Sequence, residues 1–459
     1  MVLVGDVIFD GRTPSIDFLS LPITMKPARS LIPIGTATLL PHTVHSVRRL
    51  EERLMAFVAK WGYQEIILPT FEYLDVLSVG LSPEILEKCY KFPDSASGRV
   101  LVLRPDATAQ IARMVAMGLG GDAFPLRFSY RTTVFRYEPE HRGRDREVFQ
   151  VGFELLGDDS ATGDAEMVAL LVEVLRQIGL SDWKISLGHV GFLKGLLSRS
   201  GLSPGGRKQA EIAVARKDLP HLEDILEKEH VPRAMASAIL EVPERCGSMD
   251  VLKWGRRIAG KDRSLLAPLI RLERVYELLE RKGVHESVVL DLGEFRGFDY
   301  YDGVVFDVFA DSLGSEIGGG GRYNHLIGRF GRECAAIGFG LDLDRVFSAL
   351  DRQGPSLPNG FDIVAIIAPS YLTEASFSLA QSLRQAGVCV VERELVGRVK
   401  SSQRQFGPHL CPPGASYVVL LEGRSKQAPT ISLLTFSPAS RSPRQQRLTL
   451  PQLIQKLQK

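Results

Sequence analysis

From Pro41 onward, apolar residues recur at Val47, Leu50, Leu54, Phe57, Val58 and Trp61. That is the spacing of one helix face, with Pro at the entry and Gly62 at the exit, so an amphipathic helix is predicted. Alternation then replaces the helical period. Segments 64–69, 100–103, 126–138 and 148–156 read as strands bounded by turn residues. Several follow each other without an intervening helix, which predicts an antiparallel sheet with helices packed on it rather than a doubly wound parallel sheet.

Residues 191–285 change character. They are rich in Leu, Ala, Glu, Arg and Lys at helical spacing with short Gly or Pro breaks, the pattern of an inserted helical subdomain. Strand patterns resume at 288–290 and 304–306, so the insertion interrupts a sheet domain formed by 31–190 and 286–354. Residues 355–360, Pro-Ser-Leu-Pro-Asn-Gly, read as a linker. Beyond it, 363–368, 375–386, 388–391 and 417–421 alternate as strand, helix, strand and strand, a small α/β domain over 361–459. Residues 1–30 show no clear period and are read as an N-terminal arm, with Met25 a second possible start.

The chain of 459 residues, 44% hydrophobic and 24% charged, can bury a large core. No stretch approaches the ~18 uninterrupted apolar residues that a membrane span requires, so the expected compartment is the cytoplasm. The cysteines Cys89, Cys246, Cys334, Cys389 and Cys411 lie far apart with no C-x-x-C pair, and the expectation is reduced, mostly buried thiols. Net charge is +2, yet residues 361–459 hold twelve Lys/Arg against five Asp/Glu. That balance fits either a nucleic-acid-binding remnant or a solvated surface.

Polar residues interrupt the apolar pattern at a few places. Leu103-Arg104-Pro105-Asp106-Ala107-Thr108 ends a strand and opens a helix, so Asp106 and Thr108 either cap that helix or hold a polar ligand at its start. Period-two spacing puts Arg136 and Glu138 on one strand face, and Gln150, Gly152 and Glu154 on another. Buried polar faces need partners, and a cleft for an amine, an imidazole or a phosphate supplies them. The basic loop 141–146 either closes over phosphates or is solvated. Gly318-Gly319-Gly320-Gly321 allows close backbone approach to a ligand.

Together these segments resemble class II histidyl-tRNA synthetases in order and spacing from about Pro33 to the end. Phe135-Arg136-Tyr137-Glu138 resembles the second class II signature, and Gly338 to Arg345 the third. Arg296 to Tyr301 and Gly319 to Tyr323 resemble the two histidine-specific stretches. The resemblance implies a histidine pocket of Asp106, Thr108, Gln150, Glu154, Tyr300, Tyr301 and Tyr323, flanked by Arg136 and Arg296. Two positions depart from the synthetase pattern: Asp342 stands where a synthetase has glycine, and Asp106 where it has glutamate. The overall pattern, including Leu187 to Leu193, Ala215 to Asp218 and Asp291 to Tyr301, is closer to the family's regulatory branch, the regulatory subunits of ATP phosphoribosyltransferase.

That resemblance implies a non-catalytic protein without cofactor or metal. It would join the short catalytic subunit in the first step of histidine biosynthesis and mediate feedback by histidine. It also implies a homodimer through about Ile32 to Val76 within a hetero-oligomer, and a C-terminal domain similar to an anticodon-binding module, with Gly414 to Leu420 the clearest match. A working histidine-tRNA ligase, using ATP and tRNA, is the alternative.

Overall fold

The computed structural model describes residues 32–121, 123–137, 146–294, 300–353, 363–394, 415–423, 429–435 and 444–457. The expected arm at 1–30, the basic loop 141–146 except Arg146, and the linker at 355–360 lie outside these residues. Two compact units are formed, one built on Leu50–Gly354 and the other on Pro355–Lys459 together with Leu40–Arg49.

Strands are numbered along the chain. The first part of the large unit contributes β1 (Gln64–Glu65), β2 (Phe71–Tyr73), β3 (Lys91–Pro93), β4 (Val100–Leu103), β5 (Leu126–Phe135), β6 (Glu147–Leu156) and β7 (Trp183–His189). Its later part contributes β8 (Cys246–Gly247), β9 (Val288–Asp291), β10 (Val304–Ala310), β11 (Ser315–Arg322) and β12 (Ala336–Asp342). Nine of these make one sheet in the order β1-β5-β6-β12-β11-β10-β7-β9-β8, and β2-β4-β3 form a small second sheet. The central pairings are antiparallel, whereas β1-β5 and β7-β9 are parallel. The architecture is therefore α+β, as the strand-on-strand order predicts.

Period-two alternation gives this sheet two unlike faces. Val151, Phe153 and Leu155 of β6, Phe306 and Val308 of β10, and Ile337, Phe339 and Leu341 of β12 point into the main core. Phe153 and Phe339 meet there with ring centroids 4.9 Å apart. Truncating such a buried Phe costs about 3–5 kcal/mol. The helix Ala161–Ile178 covers this face; Ser160 caps its start by accepting from the Gly163 N–H, and Gly179 at φ +80 ends it. The predicted amphipathic helix runs Pro41–Ala59, and its Leu50, Leu54 and Val58 join the same core.

Six α-helices and one turn of 3-10 helix between Val190 and Arg281 form the insertion. They are not a separate body, since Phe192, Leu222, Leu252 and Leu272 belong to the main core. Nor is the insertion wholly helical, because β8 within it pairs with β9 and extends the principal sheet. A two-residue strand carries too little periodicity to be read from sequence. The insertion is tied down by Asp164, fully buried, which accepts from Arg271 Nε at 2.5 Å and from Arg322 Nε at 2.7 Å.

The second unit holds β13 (Ile363–Ala368), β14 (Cys389–Glu394), β15 (Ala415–Glu422), β16 (Thr430–Thr435) and β17 (Arg444–Leu448). Their order is β14-β13-β15-β16-β17, parallel around β13 and antiparallel beyond β15. Val364, Ile366, Leu379, Leu383, Val419, Leu433 and Leu453 make its core.

The cysteine expectation needs correcting. Cys89 is buried, but Cys334 is half-buried and Cys246 and Cys389 are exposed. The last two lie on the edge strands β8 and β14, where one side of the ladder faces solvent. Cys411 lies outside the described residues.

Candidate functional site

The face of the sheet turned away from the main core floors a cavity of about 950 Å³. Strand register sets what lies on that floor. One row across the sheet runs Tyr130, Gly152, Gly340, Gly319, Asp307, Ser186 and Val289. The next row runs Phe128, Glu154, Gly338, Gly321, Val305 and Gly188. Glycines recur because side chains from neighbouring strands lie across them. A Cβ at Gly338 would collide with the Glu154 carboxylate, one at Gly152 with Tyr130, and one at Gly321 would stand 2.9 Å from the Tyr301 ring. Gly340 differs, since its nearest neighbours would be Tyr130 Oη and Val151 O, both at 3.8 Å. There the floor is open.

The near end of the cavity is built around the turn into the helix Thr108–Ala116. Asp106 Oδ1 accepts the Thr108 N–H at 3.1 Å, and Oδ2 accepts the Tyr300 hydroxyl at 3.0 Å. Asp106 thus both takes up the first N–H of the helix, from one residue before the N-cap, and faces the cavity. Beneath it, Glu154 accepts from Thr108 Oγ1 at 3.1 Å and from the Tyr323 hydroxyl at 2.6 Å. Burial pushes the Glu154 carboxyl up to about 8, against the pull of the Tyr323 and Thr108 hydrogen bonds. Burial likewise raises the Tyr130, Tyr300 and Tyr323 hydroxyls, which remain protonated donors.

Of the residues singled out from sequence, Asp106, Thr108, Arg136, Gln150, Tyr300 and Tyr301 line the cavity. Glu154 and Tyr323 are buried beside the cavity and do not line it, each about 1% exposed. Arg296 lies outside the described residues. Arg136 donates from Nε to Pro105 O at 2.7 Å, which ties it to the Asp106 turn. Sequence reasoning missed Tyr130 and Glu316 in this region, along with the whole wall formed by β7, β9 and β10. Period two fixed the face of each strand, but only register brings Tyr130 beside Gly152.

Asp342 also faces the cavity. It is the last residue of β12, opposite Gln150, and accepts from Gln150 Nε2 at 2.7 Å. Arg345 stands 3.9 Å from it and donates to Glu316 Oε1 at 2.9 Å and to Glu316 O at 2.6 Å. A carboxylate therefore occupies the floor beside the third-signature arginine, and that arginine is engaged by two acidic residues.

Comparison with known proteins agrees with this geometry. The histidyl-tRNA synthetase family profile matches residues 35–346. The ATP phosphoribosyltransferase regulatory subunit of Moorella thermoacetica is 39% identical over 373 residues, covering 81% of this chain and 93% of that protein. The chain belongs to this regulatory-subunit branch of the histidyl-tRNA synthetase family. The regulatory subunit of Geobacter sulfurreducens is 34% identical over 82% of this chain and 85% of its own length. A crystal structure from Bacillus halodurans, described as an ATP phosphoribosyltransferase regulatory subunit/histidyl-tRNA synthetase, superposes with a TM-score of 0.72 at 29% identity, covering 82% of this chain and 96% of that one. Within the family, Asp342 and its hydrogen bond to Gln150 now have a structural setting: they line the cavity over the sheet.

Proposed function

We propose that this chain is the histidine-responsive regulatory subunit of ATP phosphoribosyltransferase. It performs no aminoacylation, joins the short catalytic subunit, supports its activity and conveys feedback by histidine. Histidine occupies the near end of the cavity. Its ammonium meets Asp106 and Gln150, its ring meets Tyr300 and Tyr301 above Thr108, Glu154 and Tyr323, and its carboxylate meets Arg136 and Arg296.

One observation carries the non-catalytic part of this reading, namely Asp342 in the cavity, hydrogen-bonded to Gln150 and next to Arg345. Making an adenylate requires a nucleotide triphosphate bound with its charge neutralised. A phosphate charge within about 4 Å of Asp342 would be repelled by about 4 kcal/mol at the dielectric of a protein surface. The positive charge of Arg345 is already shared between Glu316 and Asp342, so less of it is left for a phosphate. A regulator needs the amino-acid half of the cavity only.

Feedback requires histidine to bind one assembly state more tightly than the other, and assembly then changes histidine affinity by the same factor. The apolar side chains of Ile34, Ile67 and Phe71, which are 77%, 93% and 54% exposed, support a homodimer through this segment inside the larger complex. No helix among the described residues is long and apolar enough to cross a membrane, and the cytoplasm is the proposed compartment.

The test is transferase activity of the short catalytic subunit with and without this protein, titrated with histidine, beside ATP-pyrophosphate exchange by this protein alone. Activation that histidine reverses, with no exchange, is expected. Histidine-dependent exchange with no effect on the transferase would instead mean a working synthetase.

A further inference from the structure

The cavity is too large for its near end alone. At about 950 Å³ it lies at the top of the ~300–1,000 Å³ range of drug-sized ligand sites, well beyond what one amino acid fills. Past the open floor at Gly340 and Gly319 it continues over β10, β7 and β9 to the insertion. The far end repeats the design of the near one. Glu294 lies across Gly188, with its Cβ 2.5 Å from where a Gly188 Cβ would stand, much as Glu154 lies across Gly338 on the same row. The Asp307 carboxyl neighbours that of Glu294, and the buried Ser186 Oγ on the floor beside them makes no hydrogen bond among the described residues. Burial, then the neighbouring Asp307, pushes the Glu294 carboxyl up, the same direction in which burial moves Glu154 at the near end.

Charge is also sorted by depth. Asp291, 5% exposed, and Glu294 lie inside, while Lys184, Arg216 and Lys217 are exposed around the same end. Lys217 reaches Asp291 at 3.5 Å, so the two layers are in contact. A ligand with a basic nitrogen at one end and a carboxylate at the other matches this order: nitrogen inward, anion outward.

We propose that the far end is a second amino-acid subsite, which takes a zwitterion with its basic nitrogen at Glu294 and Asp307 and its carboxylate at Arg216 and Lys184. Histidine fills it more weakly than the near end. The inference rests on the near end being a histidine site. Two occupied subsites on one floor would make the histidine response steeper than one site allows.

Calorimetric titration of the full chain with L-histidine tests this. The wild type is expected to show two binding events. Glu294→Gln should weaken the second by about tenfold or more and leave the first within about twofold. Arg216→Ala, an exposed change that leaves the fold alone, should weaken the same event several-fold and so guards against a misfolded Glu294 variant. Glu154→Gln should act on the first event instead. A single wild-type event that neither Glu294→Gln nor Arg216→Ala alters overturns the second subsite and leaves the near-end site standing. No histidine binding at all overturns the near-end reading, and the second subsite with it.

Discussion

Filling the floor at Gly340 tests the near-end site without dismantling it. Gly340 lies in the middle of β12 at an ordinary strand conformation, and a Cβ there meets nothing closer than 3.8 Å. Gly340→Val should therefore fold. Exchanging glycine for a residue compatible with its backbone is worth about 0.4–1 kcal/mol through the unfolded chain, so the melting temperature should hold or rise slightly. Its methyl groups, however, project into the space between Tyr130 and the Gln150–Asp342 pair, where histidine is proposed to lie. Forcing extra methyl groups into an occupied site costs about 1–3 kcal/mol, which is about 5- to 150-fold in Kd. Titration calorimetry with histidine, beside thermal melting, reads both quantities. An unchanged Kd in a variant that melts normally would show that histidine does not rest on this floor, and the pocket assignment would fail. Gly338→Ala is the contrasting control, since its methyl group would displace the buried Glu154 carboxylate and should destabilise the protein itself.

Glu154→Gln should flatten part of the pH dependence of stability. The folded protein keeps the Glu154 proton up to about 8, whereas the unfolded chain loses it near the ordinary 4.5, so stability is greatest below 4.5 and falls as pH rises toward 8. Denaturant midpoints at pH 5 and pH 8 should differ less in the variant than in the wild type, with Glu294 sustaining the remaining slope. An equal difference in both proteins would mean that Glu154 is ionised in the fold. Asp164→Ala should cost about 3–5 kcal/mol, because it leaves Arg271 and the buried Arg322 without the carboxylate between them. Urea unfolding measures this, and a loss under 1 kcal/mol would show that the cluster does not anchor the insertion.

Much of the fold was legible from local pattern. The helical period placed Pro41–Ala59, and alternation placed β4, β5 and β6 to within a few residues. Alternation also said that Gln150, Gly152 and Glu154 share one face, opposite the apolar Val151, Phe153 and Leu155. The glycine run at 318–321 was read as room for close approach to a ligand, and the structure adds a second use for it. It serves to let β11 pass under Tyr301 and against the backbone of β12. Short elements such as β8 left no trace, for they owe their form to a neighbouring strand and not to their own residues.

The sequence by itself determined which residue types could meet a polar ligand and which face of each strand they occupy, since both follow from side-chain chemistry and a two-residue period. Only the tertiary structure decided their depth and company. It buried Glu154 and Tyr323 beside the cavity instead of leaving them in its lining, set Asp342 against Gln150, and joined β7, β9 and β10 into a second cavity wall. The reason is that burial and pairing come from register between remote segments, Gln150 with Asp342 and Glu154 with Tyr323, and no local period along the chain records that register.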